Sequence, residues 1–273
     1  MKISILGCGW LGFPLAKSLV EKGFSVNGST TSENKLSILS TAGILSYLIS
    51  VTENEIVGDF NAFLENSEIL IIDIPPKLRG GFSNTSTALS MTFVSKIKNL
   101  IPFIEKSTVK KVIFVSSTSV YADSNSEITE STKPQPETES GKQLLESERL
   151  LFSNSNFKTT VVRFGGLIGV DRHPIYFLAG RKNIENPDAL INFIHQKDCI
   201  GIIEAIISKG IYAEIFNAVT PFHPTRKDYY TQKAMELKLP LPEFDTSKPS
   251  VGKLILSEKI ENFLGYQFKE NQL

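Results

Sequence analysis

The stretch MKISILGCGWLG, residues 1–12, constrains the fold of this chain more than any other. Ile3, Ile5 and Leu6 make a short apolar strand, and Gly7, Gly9 and Gly12 follow at G-x-G-x-x-G spacing. Leu11, Leu15 and Leu19 then recur at helical spacing up to Gly23, which is placed as a C-terminal cap. Pro14 falls in the first helical turn, where its missing N–H costs little. A second apolar run begins at Phe24. A strand, a glycine turn, a helix and a second strand in about thirty residues are the context a dinucleotide fingerprint requires.

Each glycine has a physical task in that reading. Gly7 permits the tight turn out of the strand. Gly9 lets the backbone approach a pyrophosphate, and Gly12 lets the helix pack close to the sheet. Trp10 and Leu11 share the loop. The N–H groups and the dipole at the helix N-terminus attract phosphate.

Bulk properties exclude several classes. The 273 residues suffice for one large domain, and 41% hydrophobic with 21% charged residues is ordinary globular composition. Lys+Arg (29) and Asp+Glu (29) cancel, which argues against nucleic acid or a membrane surface as partner. Cys8 and Cys199 lie in apolar runs without metal-ligand spacing, as reduced core residues of a cytoplasmic protein do. The chain opens on a strand, which leaves no room for a signal peptide, and no apolar run reaches membrane-spanning length. His173, His195 and His223 are scattered, so no metal site is expected. No G-x-S-x-G hydrolase motif is present.

The second strand ends in Ser29, Thr30, Thr31 and Ser32, where an NAD-binding protein carries an acid for the ribose 2′-hydroxyl. Small hydroxyls with Lys35 nearby suit a 2′-phosphate, so NADP is expected, with NAD as the alternative. The same row also serves as a cap for the next helix, expected over residues 33–42. A third strand is expected over 44–49 and a buried strand, SEILIIDI, over 67–74. Ile74 and Pro75 then lie beside the cofactor crevice, and Lys77 and Arg79 are placed to touch phosphate or substrate. An amphipathic helix is expected over 87–103.

The strand VKKVIFVS leads into SSTSVY at residues 116–121, RFGGLIG follows at 163–169, and FIHQKDC at 193–199. With the glycine fingerprint, these motifs stand in the order seen in extended short-chain dehydrogenases/reductases. The chain resembles those NAD(P)-dependent epimerase/dehydratase-like proteins from Lys2 to about Asp198. The resemblance implies an α/β fold, a doubly wound parallel Rossmann sheet with a small C-terminal substrate lobe. Residues 1–164 would be the cofactor-binding core, and 165–273 would complete the sheet and form the lobe. It implies that Ser116 borders the cofactor and that Ser117 polarises the substrate. His195 and Asp198 would lock the lid segment to the core, and the helices over 87–103 and 140–152 are those that pair in dimers of the superfamily. The chain is therefore expected to be a monomer or a homodimer acting on a small molecule.

One departure matters. The family's Tyr-x-x-x-Lys pair maps onto Ser140 and Leu144, or, two residues earlier, onto Thr138 and Lys142. Neither register holds a tyrosine, so the phenolate mechanism is not expected. Tyr121 is then the first candidate for a replacement acid, with Tyr176 and His173 behind it. Arg172, His173, Tyr176, Arg181, Asn192 and Arg226 are the candidate substrate contacts, the arginines for their bidentate grip on phosphate or carboxylate. Two functions stay open: an oxidoreductase or epimerase acting on a small polar substrate such as a sugar nucleotide, and a non-catalytic NADP(H)-binding sensor or partner-binding module.

Overall fold

The structure, a computed structural model, describes residues 1–76 and 92–270. Its centre is a seven-stranded parallel sheet. The strands are β1 (Lys2–Leu6), β2 (Ser25–Thr30), β3 (Leu45–Leu48), β4 (Ile69–Ile72), β5 (Lys111–Ser117), β6 (Lys158–Phe164) and β7 (Ile215–Ala218). In space they run β7-β6-β5-β4-β1-β2-β3. The order reverses between β1 and β4, and a reversal of that kind opens a ligand crevice at the strands' carboxyl ends.

Burial on both faces follows from the sequence. β4 reads ILII and is wholly buried, as a parallel strand covered by helices on both sides must be. One face carries α1 (Gly12–Glu21), α7 (Gln196–Lys209) and α9 (Glu258–Leu264), whose Leu15, Leu19, Ile203, Ile206 and Ile260 join Ile3, Ile5 and Ile71 in one apolar cluster. The other face carries α3 (Phe60–Leu64), α4 (Thr92–Lys106) and α5 (Glu139–Phe152). A smaller cluster of Ile175, Ile191, Tyr229, Tyr230 and Ala234 holds together α6 (Ile175–Leu178) and α8 (Arg226–Glu236) away from the sheet. No helix among the described residues is long and apolar enough to cross a membrane.

Element boundaries shift in informative places. The helix expected over 33–42 is a 3-10 turn, Glu33–Lys35, followed by α2 (Leu36–Thr41). The strand expected over 67–74 shrinks to Ile69–Ile72, although Glu68 N still donates to Lys2 O and Asp73 N to Leu6 O. The start of the helix expected at Thr87 lies outside the described residues. Its described part continues through Pro102 to Lys106.

Two polar locks hold the layers. Arg163 of β6 meets Glu148 of α5, with Nε at 3.1 Å from Oε1 and Nη2 at 2.5 Å from Oε2. The two side chains are 3% and 4% exposed. In the second lock the Asp198 carboxylate accepts from Tyr266 Oη at 2.7 Å and Lys269 N at 2.8 Å, tying the C-terminal segment to α7. Replacing Arg163 with Met would leave the Glu148 carboxylate buried and unpaired. Arg163→Met should cost about 3–5 kcal/mol of stability, read as a lowered midpoint in urea unfolding. An unchanged midpoint would contradict this account of the core.

Candidate functional site

The site begins with a backbone contact. Gly7 has φ +106°, in the region that favours glycine. A Cβ at Gly7 would run into the Asp73 carbonyl, and one at Gly12 into the Gly7 carbonyl. Gly9 is the opposite case: a Cβ there meets no atom within 4 Å. The turn is pinned to β2, with Gly7 N donating to Ser29 Oγ (2.9 Å) and Cys8 N to Ser29 O (2.8 Å). The glycine loop thus closes tightly against the sheet and leaves its middle open to a ligand.

Two adjoining cavities share Gly9, Asp73, Ile74 and Pro75. One, of about 280 Å³, runs towards β2 past Thr30, Thr31, Ser32, Lys35 and Lys96. The other, of about 290 Å³, runs towards β5 past Trp10, Leu11, Ser116, Ser117, Leu144 and Arg172. All the residues singled out for cofactor contact line one or both of these spaces, except Gly12, which is packed beneath them.

A turn from the second half of the chain grips the glycine loop. Trp10 Nε1 donates to Asp171 Oδ1 at 2.9 Å, and Gln196 Nε2 donates to Trp10 O at 2.6 Å. The Arg172 guanidinium sits 5.0 Å from the Trp10 ring centre, a cation–π distance. Arg172 therefore belongs with Ser116 and Ser117 in the second cavity.

Ser117 Oγ accepts from Ser119 N at 3.1 Å, which fixes the hydroxyl at the end of β5. Ser116 Oγ donates to Glu148 Oε1 at 2.5 Å and so is tied to the Arg163 pair. In one register of the expected Tyr-x-x-x-Lys pair stand Ser140, in the first turn of α5, and Leu144, whose hydrocarbon lines the cavity; in the other stand Thr138 and Lys142. Thr138 serves as the N-cap of α5, its hydroxyl accepting from Gly141 N at 3.1 Å.

Several candidates have other work. Tyr121 is 2% exposed. Its hydroxyl accepts from Arg163 Nη1 at 2.6 Å and donates to Asn217 Oδ1 at 3.0 Å, and burial pushes it above the ordinary tyrosine range. It braces the core, and its expected catalytic role gives way to that one. His173 Nδ1 accepts from Ile175 N at 3.1 Å, so Nε2 carries the hydrogen and donates to Tyr229 Oη at 2.8 Å. Burial holds this imidazole down at about 4, which keeps it neutral and unsuited to acid catalysis near neutral pH. Asn192 bridges Lys253 O at 2.8 Å and Ile255 N at 2.9 Å, anchoring the C-terminal segment.

Tyr176 is 58% exposed on α6. Arg181 is exposed, with its backbone paired to Leu178 and Glu243. Arg226 starts α8, with its N donating to Ala189 O at 2.9 Å and its charge close enough to Tyr230 to oppose that hydroxyl's upward shift. Tyr176 and Arg226 thus lie on the two helices that the small apolar cluster holds together. Lys77 and Arg79 lie outside the described residues.

Sequence reading passed over Asp73, Lys96, Asp171 and Gln196. Lys96 and Asp171 carry no local pattern that marks them. Asp73 stands at the end of the buried strand in SEILIIDI, and a charged residue there was a signal. Burial pushes its carboxyl up to about 8, against the lowering effect of the Gly12 N–H and the Arg172 charge.

No family model matches the chain. Protein YeeZ of Escherichia coli (strain K12) is 33% identical over 271 residues, which cover 98% of this chain and 96% of that protein. Among solved structures, a protein of Methylobacillus flagellatus described as an NAD-dependent epimerase/dehydratase superposes with a TM-score of 0.77 at 24% identity. It covers 99% of this chain and 94% of its own. UDP-glucuronic acid 4-epimerase of Bacillus cereus, in complex with UDP-glucuronic acid and NAD, superposes with a TM-score of 0.80 at 17% identity. There the shares are 98% and 94%. The chain belongs to the YeeZ family and has the fold of the extended short-chain dehydrogenases/reductases.

Proposed function

We propose that the chain binds a nicotinamide dinucleotide in the crevice, NADP(H) in preference to NAD(H), and acts on a small polar substrate. The observation that carries this is the pair of cavities meeting at Gly9, whose Cβ direction is open while Gly7 and Gly12 are closed by backbone. The residues fit the group. Gly9 to Leu11 and the N-terminus of α1 would hold the pyrophosphate. Thr31, Ser32, Lys35 and Lys96 would face the adenosine end, and Ser116, Ser117 and Leu144 the nicotinamide end. Bound there, the cofactor supplies a hydride donor or acceptor. Residues 1–164 would hold it, and the lobe drawn from 165–273 would present substrate. The solved relatives bind NAD and UDP-sugars, which makes sugar nucleotides the first class to try.

Ser117 would polarise the substrate from the crevice wall. The Tyr-x-x-x-Lys route is closed, because neither register supplies a tyrosine, and where the lysine position falls on Leu144 no group is left to hold a ribose hydroxyl. The same side chain favours a second reading, in which the protein senses NADP(H) and passes that state to a partner without turning over.

Gly9→Asp would place a carboxylate against the pyrophosphate. It should abolish NADPH binding in calorimetry while the protein still unfolds cooperatively, and an unchanged Kd would contradict the proposed site. NADP should bind tighter than NAD by about 1–3 kcal/mol, roughly 5- to 150-fold, the size of a charge-assisted contact to phosphate. Thr30→Asp should reverse that order and Lys96→Ala should narrow it. A wild type that prefers NAD would show that the hydroxyl row is only a helix cap. In loss of NADPH absorbance over sugar nucleotides, aldehydes and ketones, Ser117→Ala should lower turnover by about 10²-fold or more, as loss of a polarising donor does. Equal turnover would remove Ser117 from the mechanism. No turnover, together with NADPH-dependent capture of a partner, would select the sensor.

A further inference from the structure

The Asp73 carboxyl stands where the dinucleotide reading puts the pyrophosphate. It lines both cavities beside Gly9. Its Oδ2 lies 3.1 Å from the point a Cβ would occupy on Gly12. The first turn of α1 contains no acidic residue, and Leu11, its N-cap, makes no side-chain cap. Asp73, from the neighbouring strand, therefore presents a carboxyl to that helix end.

A carboxylate and a pyrophosphate at this spot compete for the same N–H groups and the same positive end of the helix dipole. They also repel each other. A neutral carboxyl does neither and offers one O–H donor, which a phosphate oxygen accepts. We infer that the dinucleotide binds with the Asp73 carboxyl protonated, so that cofactor binding takes up a proton and weakens in alkaline solution. This rests on the proposed dinucleotide site.

The groups around Asp73 define the range in which this is read. Arg172, from the turn over Trp10, and the Gly12 N–H both favour the carboxylate, and burial outweighs them, leaving the carboxyl at about 8. The Cys8 thiol in the glycine loop is pushed up to about 12 by burial and by Asp73 itself. The Cys199 thiol on α7 is pushed well up for the same two reasons and by Asp198. Neither thiol ionises near pH 8. Lys35, Glu53 and Lys96 line the adenosine cavity and are unchanged in the test variant.

The sign follows directly. Below about pH 8 the carboxyl is neutral in both free and bound protein, and affinity is flat. Above that, the free protein must gain a proton to bind, and affinity falls tenfold per pH unit.

The test is calorimetric titration with NADH, which lacks the titrating 2′-phosphate of NADPH, from about pH 6.5 to about 9.5. Wild type should bind evenly up to about pH 8 and then lose affinity with unit slope. Asp73→Asn should bind evenly throughout and about tenfold tighter than wild type at about pH 9. Wild type titrated at that pH in buffers of different ionisation heat should take up close to one proton per NADH, a readout that needs no variant to fold. A flat wild-type profile without proton uptake overturns the inference, as does a slope that persists in Asp73→Asn. NADH that binds neither protein at any pH overturns the dinucleotide site, and this inference with it.

Discussion

The fold and the site both depend on three backbone segments meeting with no side chain between them. Gly12 at the start of α1 lies on the carbonyl of Gly7, and Gly7 lies on the carbonyl of Asp73 at the end of β4. A methyl group at either glycine would drive helix and sheet apart. That contact fixes the helix N-terminus over the switch in strand order, and everything placed around the crevice takes its position from it. Ser29 pins the turn to β2 through Gly7 N, while Trp10 collects Asp171, Arg172 and Gln196 from more than 150 residues away, so the second half of the chain clasps the loop from above.

The sheet was legible because its signals are local. G-x-G-x-x-G between two apolar runs, the buried SEILIIDI and the strand before SSTSVY each state their element within about ten residues. What stayed out of sight was decided by tertiary partners. Nothing next to Tyr121 says that Arg163 and Asn217 will enclose its hydroxyl. Nothing beside His173 reveals that Tyr229 and a backbone N–H will fix it in the neutral form. Asn192 reads as a polar residue before a motif, and it becomes a clamp only when residues 253–255 arrive. A polar residue type marks capacity for chemistry. Whether that capacity is spent on the core is settled by neighbours remote in sequence.

Leu144 and Asp73 set the character of the crevice walls. Leu144 puts hydrocarbon on the wall of the cavity that holds Ser116 and Ser117. Asp73 puts an acid at an anion-binding helix end. Both side chains act on the cavity walls and leave the backbone cradle intact.

The proposed site is defined by where a dinucleotide sits. A crystal structure of the protein grown with NADPH measures this most directly. It should show the pyrophosphate against the open side of Gly9 at the start of α1, with the adenosine running towards Lys35 and Lys96 and the nicotinamide towards Ser117. A crevice without dinucleotide at saturating NADPH, or a dinucleotide bound away from the glycine loop, would contradict it.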